Sequence, residues 1–149
     1  MRTLFRFILI LVVATVGGVV PGQGAAQEDD ALLQPGIALY ETGKYQEAYR
    51  FFFELFLQTP QSRSINIRLG QAAAAAGDHE AAVMAFERVL IIDPEAVEMK
   101  LELAKAFREL GSSGIAAEYL DELIESGLPE GINSPARELR DEIRSQETR

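Results

Sequence analysis

Apolar residues fall into three regimes along this chain. From Phe7 to Val20 they run almost unbroken. From Ala31 to Leu128 they recur at spacings of three and four, the period that places side chains on one face of an α-helix. After Ser134 only Ala136, Leu139 and Ile143 keep that spacing, on a segment that is otherwise charged. Beyond Val20 there is no alternation of apolar and polar residues of the kind a half-buried strand shows.

The breaks between apolar stretches give the elements. Asp29 or Asp30 is placed to cap a first helix over residues 31–41. Pro35 lies inside it and predicts an irregular start, because proline removes an amide donor and crowds the preceding turn. After Gly43 a second helix is predicted from Tyr45 to Gln58, ended by Pro60. Ser62 or Ser64 caps a third, ending near Ala76, and Gly77-Asp78 makes a turn. The fourth covers His79 to Ile92 and stops at Asp93-Pro94. Glu95 to Leu110 reads as the fifth, with acids in its first turn as the helix dipole favours, and Ser113 to Glu125 as the sixth. A linker at 130–133 leads to Ser134 as an N-cap and Pro135 as the first residue of a last helix to about Gln146.

Laid over one another, these segments repeat every 34 residues. The turn glycines Gly43, Gly77 and Gly111 are 34 apart, as are the small residues Gly36, Gly70 and Ala104. So are Ala48, Ala82 and Ala116, then Phe52, Phe86 and Leu120 one turn later, then Leu55, Val89 and Leu123. Pro60 and Pro94 keep the period, and Pro129 follows 35 residues on. The pattern resembles the tetratricopeptide repeat (TPR) family, whose unit is a 34-residue helix-turn-helix with small residues at these places. The resemblance implies an all-α solenoid of about three repeats plus a C-terminal capping helix. The units are 31–62, 63–96 and 97–130, preceded by a linker at 27–30 and followed by a capping helix and tail at 131–149.

The N-terminal stretch is a different kind of segment. Arg2 and Arg6 precede the apolar run, Pro21 and Gly22 close it, and Gly24 and Ala26 form a small-x-small pair. This is the make-up of a secretory signal peptide over residues 1–26, with the cut expected after Ala26. The periplasm or the extracellular space is then the expected location. The competing reading is an uncleaved anchor that ties the chain to a membrane through this segment alone, although the run is short for a span of about 20 residues.

Charge and composition narrow the function. The chain carries a formal −9; residues 1–26 contribute +2 of that, so the remainder stands at −11. An acidic surface repels phosphate backbones, so no nucleic acid partner is expected. With no Cys and one His, a metal site would have to be built from carboxylates, and no Gly-rich phosphate loop follows a strand. No cofactor, metal or catalysis is expected. His79 stands where Tyr45 stands in the first unit and reads as a packing residue.

In the family, the first helix of each pair lines the concave face. The resemblance therefore assigns a peptide groove to Leu33, Ile37 and Tyr40, then Ile67, Arg68, Gln71 and Ala74, then Leu101, Glu102, Lys105 and Arg108. Some members clamp a terminal carboxylate with Lys and Asn there; Leu33 and Ile37 occupy those places here. Lys105 and Arg108 remain to hold an acidic group or to pair with Glu102 and Glu109. Phe53 and Leu57, four apart where the family places charges, and Ile91 in the next unit suggest an apolar interface. Burying two such side chains contributes about 3–6 kcal/mol.

The expected function is that of an exported scaffold or adaptor binding another protein or a peptide segment in the cell envelope, with self-association through the apolar stripe as a further expectation. Leu128-Pro129-Glu130-Gly131 leading into an Arg/Glu-rich helix is also similar to the end of the TPR domain in surface lipoprotein assembly modifier proteins, where a β-barrel follows. That likeness implies a second reading, an accessory or truncated module of an outer-membrane export system.

Overall fold

The structure, a computed structural model, describes residues 23–127 and 129–147. Among them are seven α-helices and no strand: α1 Gln23–Glu41, α2 Tyr45–Gln58, α3 Arg63–Ala75, α4 His79–Ile92, α5 Glu98–Glu109, α6 Ser113–Glu125 and α7 Glu130–Glu147. Each helix packs on the next in sequence, and α1 also touches α3 as α5 touches α7. The odd-numbered helices thus form one side of the stack and the even-numbered helices the other. This is the all-α solenoid the 34-residue period predicts.

The repeated positions are the core. Ala48, Ala82, Ala116 and Ala104 have no exposed surface, and Phe52, Phe86, Leu120, Val89 and Leu123 are buried with them. The small residues on the first helices leave room for the rings. A Cβ on Gly36 would stand 2.5 Å from Cζ of Phe52, and one on Gly70 would stand 2.5 Å from Cε1 of Phe86. The turns repeat as well. Gly43, Gly77 and Gly111 take φ of 77°, 85° and 75°. The next residue's amide then reaches back five positions: Lys44 to Leu39, Asp78 to Ala73 and Ser112 to Phe107. This is the helix-ending arrangement a left-handed glycine permits.

Ser62 and Asp78 cap α3 and α4, accepting hydrogen bonds from the amides of Ile65 and Ala81. His79 opens α4 half-buried, and its Nδ1 is buried without a hydrogen-bond partner.

Three boundaries differ from the sequence expectation. The first helix passes through Pro35 without a break and begins at Gln23, so residues 27–30, expected as a linker, are helical. Ala31 and Pro35 are both exposed, so this turn lies at the surface, where water can serve a carbonyl left without its helical bond and lower the cost. The last helix begins at Glu130, five residues before Pro135. The Pro129 carbonyl accepts from the amides of Ile132 and Asn133, while Ser134 bonds to Glu138 instead of capping. The fifth helix starts at Glu98, because Asp93 holds Glu95 and Ala96 in a turn. Of the expected signal peptide, residues 1–22 lie outside the described residues, and the expected cut after Ala26 falls within α1.

Candidate functional site

Two recesses among the described residues lie on the side built from α1, α3, α5 and α7. Between α1 and α3 a pocket of about 150 Å³ is lined by Ile37, Tyr40, Glu41, Phe52, Arg68 and Gln71. Between α5 and α7 a more open recess of about 290 Å³ is lined by Lys105, Arg108, Pro135, Glu138, Leu139 and Glu142. The sequence places both on one register. Ile37, Gln71, Lys105 and Leu139 are 34 apart in succession, and so are Tyr40, Ala74, Arg108 and Glu142.

The structure brings Ile37, Tyr40, Arg68 and Gln71 together around the first pocket, and Lys105 and Arg108 around the second. Leu33 is a correction: it is 3% exposed and belongs to the core beside Phe52, Leu55 and Leu69. The helix is longer at its N-terminal end than expected, and Leu33 sits well inside it, where it packs against α2 and α3. Ile67 and Ala74 are half-buried against the middle core, and Leu101 against the last one. They line neither recess. The sequence reading missed Phe52 as part of the first pocket, since a core position was expected to be wholly enclosed by its own unit. It also missed the contribution of α7 to the second.

The two recesses differ in electrostatics. In the first, Arg68 Nη1 donates to Oε1 of Gln71 at 3.2 Å and has no carboxylate partner among the described residues. In the second the cations are occupied. Lys105 bonds to Glu102 at 2.8 Å. Arg108 bonds to Glu109 and reaches Glu142 of α7 at 3.0 Å. The hydrogen bond from Arg108 is what chiefly holds the Glu109 carboxyl below its ordinary range, and the same bond raises Arg108. The α5/α7 recess is thus internally neutralised. The α1/α3 pocket combines the apolar Ile37 and Phe52 with Arg68, which carries no ion pair among the described residues, and with Glu41.

On the even-numbered side, Phe53 is 43% exposed, Leu57 65% and Ile91 79%. Met84, which sequence reasoning passed over, is 68% exposed nearby. The signal was present: Met84 stands between Arg50 and Glu118 at the 34-residue period. No helix among the described residues is long and apolar enough to cross a membrane, and no group of His, Cys, Asp and Glu among them is placed to hold a metal.

Comparison with known proteins agrees with this geometry. The tetratricopeptide repeat model matches residues 33–97 and again 67–130. The chain belongs to the tetratricopeptide repeat family. Among solved structures this TPR chain is similar to SycD, the type III secretion translocator chaperone of Yersinia enterocolitica, with a TM-score of 0.71 at 19% identity over 80% of this chain and 86% of that one. It is similar to PcrH in complex with the chaperone binding region of PopD, with a TM-score of 0.72 at 17% identity, covering 82% and 95% of the two chains; PcrH is from Pseudomonas aeruginosa. It is also similar to the first TPR of Spaghetti bound to an HSP90 peptide, with a TM-score of 0.70 at 15% identity over 83% and 95%. At such identities the likeness is one of fold. Comparison with curated proteins by sequence gives no match.

Proposed function

We propose that this TPR chain is an exported scaffold of the cell envelope that binds an extended segment of another protein along the face of α1, α3, α5 and α7. The observation that carries the reading is the α1/α3 pocket, where Ile37, Tyr40 and Phe52 are joined by the polar side chains of Arg68, Gln71 and Glu41. An apolar anchor side chain fits such a lining, and the backbone of an extended segment meets donors and acceptors there. The similarly folded SycD and PcrH are described in complex with a peptide of the translocator YopD and with the chaperone binding region of PopD, which supports a peptide as the occupant. Export rests on Arg2, Arg6, the apolar run and the Gly24/Ala26 pair.

Two measurements test this. A photo-crosslinker at Gln71 traps a partner in cells, and the adduct is lost with Ile37→Asp. Adducts at Phe53 with none at Gln71 would move binding to the opposite side. The mass of the mature protein reads the cut: a chain beginning at Gln27 supports export in soluble form, and retention of Met1 supports the membrane-tethered alternative.

A further inference from the structure

A second pocket lies on the opposite side of the stack, between α2 and α4, with a volume of about 140 Å³. Phe53 and Phe56 of α2 face Met84, Ala85 and Arg88 of α4 across it, and Asn66 and Leu69 of α3 form part of its lining. It exists because α4 presents the small side chains Ala81 and Ala85 opposite aromatic rings. The Phe53 and Phe56 rings stack with centroids 6.1 Å apart.

Two polar features of this pocket are unspent. Asn66 has no exposed surface. Its Nδ2 donates to the carbonyls of Pro60 at 2.9 Å and Ser62 at 2.7 Å, which fixes the orientation of the amide. Its Oδ1 is buried with no hydrogen-bond partner. A buried acceptor left open costs about 1–3 kcal/mol, so a donor is favoured there once the side chains that cover Oδ1 shift to admit it. Arg88 stacks over the Phe56 ring at 5.1 Å and pairs with no carboxylate among the described residues. The repeat register sharpens this. Where the middle unit has Arg88, the first has Glu54 and the third Glu122. Where the first unit has Phe53, the later ones have Glu87 and Asp121. One apolar pocket with one cation on its rim thus interrupts a side that carries acids at the same positions in the other units.

We infer that the α2/α4 pocket is a docking site for a protein segment bearing an aromatic side chain with a polar hydrogen, tryptophan or tyrosine, next to a carboxylate. The ring enters between Phe53 and Met84, its N–H or O–H donates to Oδ1 of Asn66, and the carboxylate pairs with Arg88. An aromatic side chain with a polar tip suits a site that is apolar at the walls and holds one acceptor. The site is separate from the α1/α3 pocket, so the chain has two binding faces, and its test is independent of that reading.

The probe is a blocked tetrapeptide, acetyl-Ser-Trp-Glu-Ser-amide, titrated into the isotope-labelled full chain. The chain has no Trp, so the peptide's fluorescence reports its own burial. Saturable shifts are expected at the Asn66 side-chain amide and at Arg88, with Gln71 unmoved and the tryptophan emission moving to the blue. Phe53→Glu and Met84→Glu should abolish saturation while leaving the fold intact, because Glu87 and Glu118 already occupy those positions in neighbouring units. Arg88→Gln should weaken the peptide about tenfold, the effect of losing one charge-assisted bond, and should not affect a peptide with Gln in place of Glu. Equal binding of a Leu-for-Trp peptide would overturn the role of Asn66. Shifts confined to the Gln71 side, or none that saturate by about 10 mM (a free energy near 3 kcal/mol), would overturn the site. A dimer dissolved by Met84→Glu with no response to the peptide would also overturn it and give this face to a second copy of the chain.

Discussion

A methyl group added at Gly70 would meet the ring of Phe86 at 2.5 Å, too close for two carbon atoms, and Phe86 is 1% exposed, held inside the core. Gly70→Ala is therefore expected to destabilise the fold by about 1–3 kcal/mol through overpacking. Gly114 is the contrast. It also lies in a helix, but a Cβ there meets nothing within 4 Å, so Gly114→Ala should stabilise by up to about 1 kcal/mol through helix propensity. Thermal melts of the two variants give opposite shifts. Combining Gly70→Ala with Phe86→Leu should recover part of the loss, because the second change vacates the space the first one fills. Equal melting points for the two glycine variants would show that the 34-residue spacing of small residues does not reflect ring contact.

Between helices, the fastening is partly electrostatic and partly a matter of turn geometry. The Gly77 φ of 85° suits glycine alone, so Gly77→Ala should cost about 1–2 kcal/mol, in a turn where added bulk touches nothing. Arg108 ties α5 to α7 through Glu142 while bonding to Glu109 beside it. The hydrogen bond from Arg108 lowers the Glu109 carboxyl. A group lowered in the folded state stabilises the fold above its unfolded value and loses that contribution as the pH falls through the folded one. The stability difference between the parent and Arg108→Gln should thus be full at neutral pH and close as the pH falls below the ordinary carboxylate range. The Glu109 side chain is close to half exposed and that of Arg108 about a third, so solvent screens the pair, and the difference is small and shrinks with salt. Denaturant midpoints at neutral and acid pH, with and without added salt, measure it; a gap unchanged across that range would mean that Arg108 acts through packing alone.

For the molecule as a whole, stability passes from neighbour to neighbour, as expected of a stack in which each unit touches only the next. The last cluster joins Ala104, Leu120 and Leu123 to Ala136, Leu139 and Ile143 of α7. Ile143 is 1% exposed and Leu139 8%. Replacing Ile143 by Asp should unseat α7 and uncover the third unit. The expected signature is an early loss of hydrogen-exchange protection in α5 to α7, with α3 and α4 protected longer. Simultaneous loss through the whole chain would instead show a single cooperative unit.

The repeat was legible because its determinants are local and periodic. Gly43, Gly77 and Gly111 end helices by backbone geometry, and Ala48, Ala82 and Ala116 mark close approach wherever they recur. From these the helix order, the core rings and the cap helix follow without coordinates. The stretch around Pro35 was not legible, since the cost of a missing amide bond depends on whether water reaches the stranded carbonyl. Leu33 was assigned to the groove by its register, but burial is set by the helices packed against it. The two pockets needed the tertiary structure most. Ile37 and Arg68 line one and Asn66 and Arg88 the other, and each pair comes from separate helices whose distance no spacing encodes. Sequence alone determined which positions repeat, because each repeat obeys the same short-range rules. Only the packing of one unit on the next decided where space is left between them, and that space is where a partner can bind.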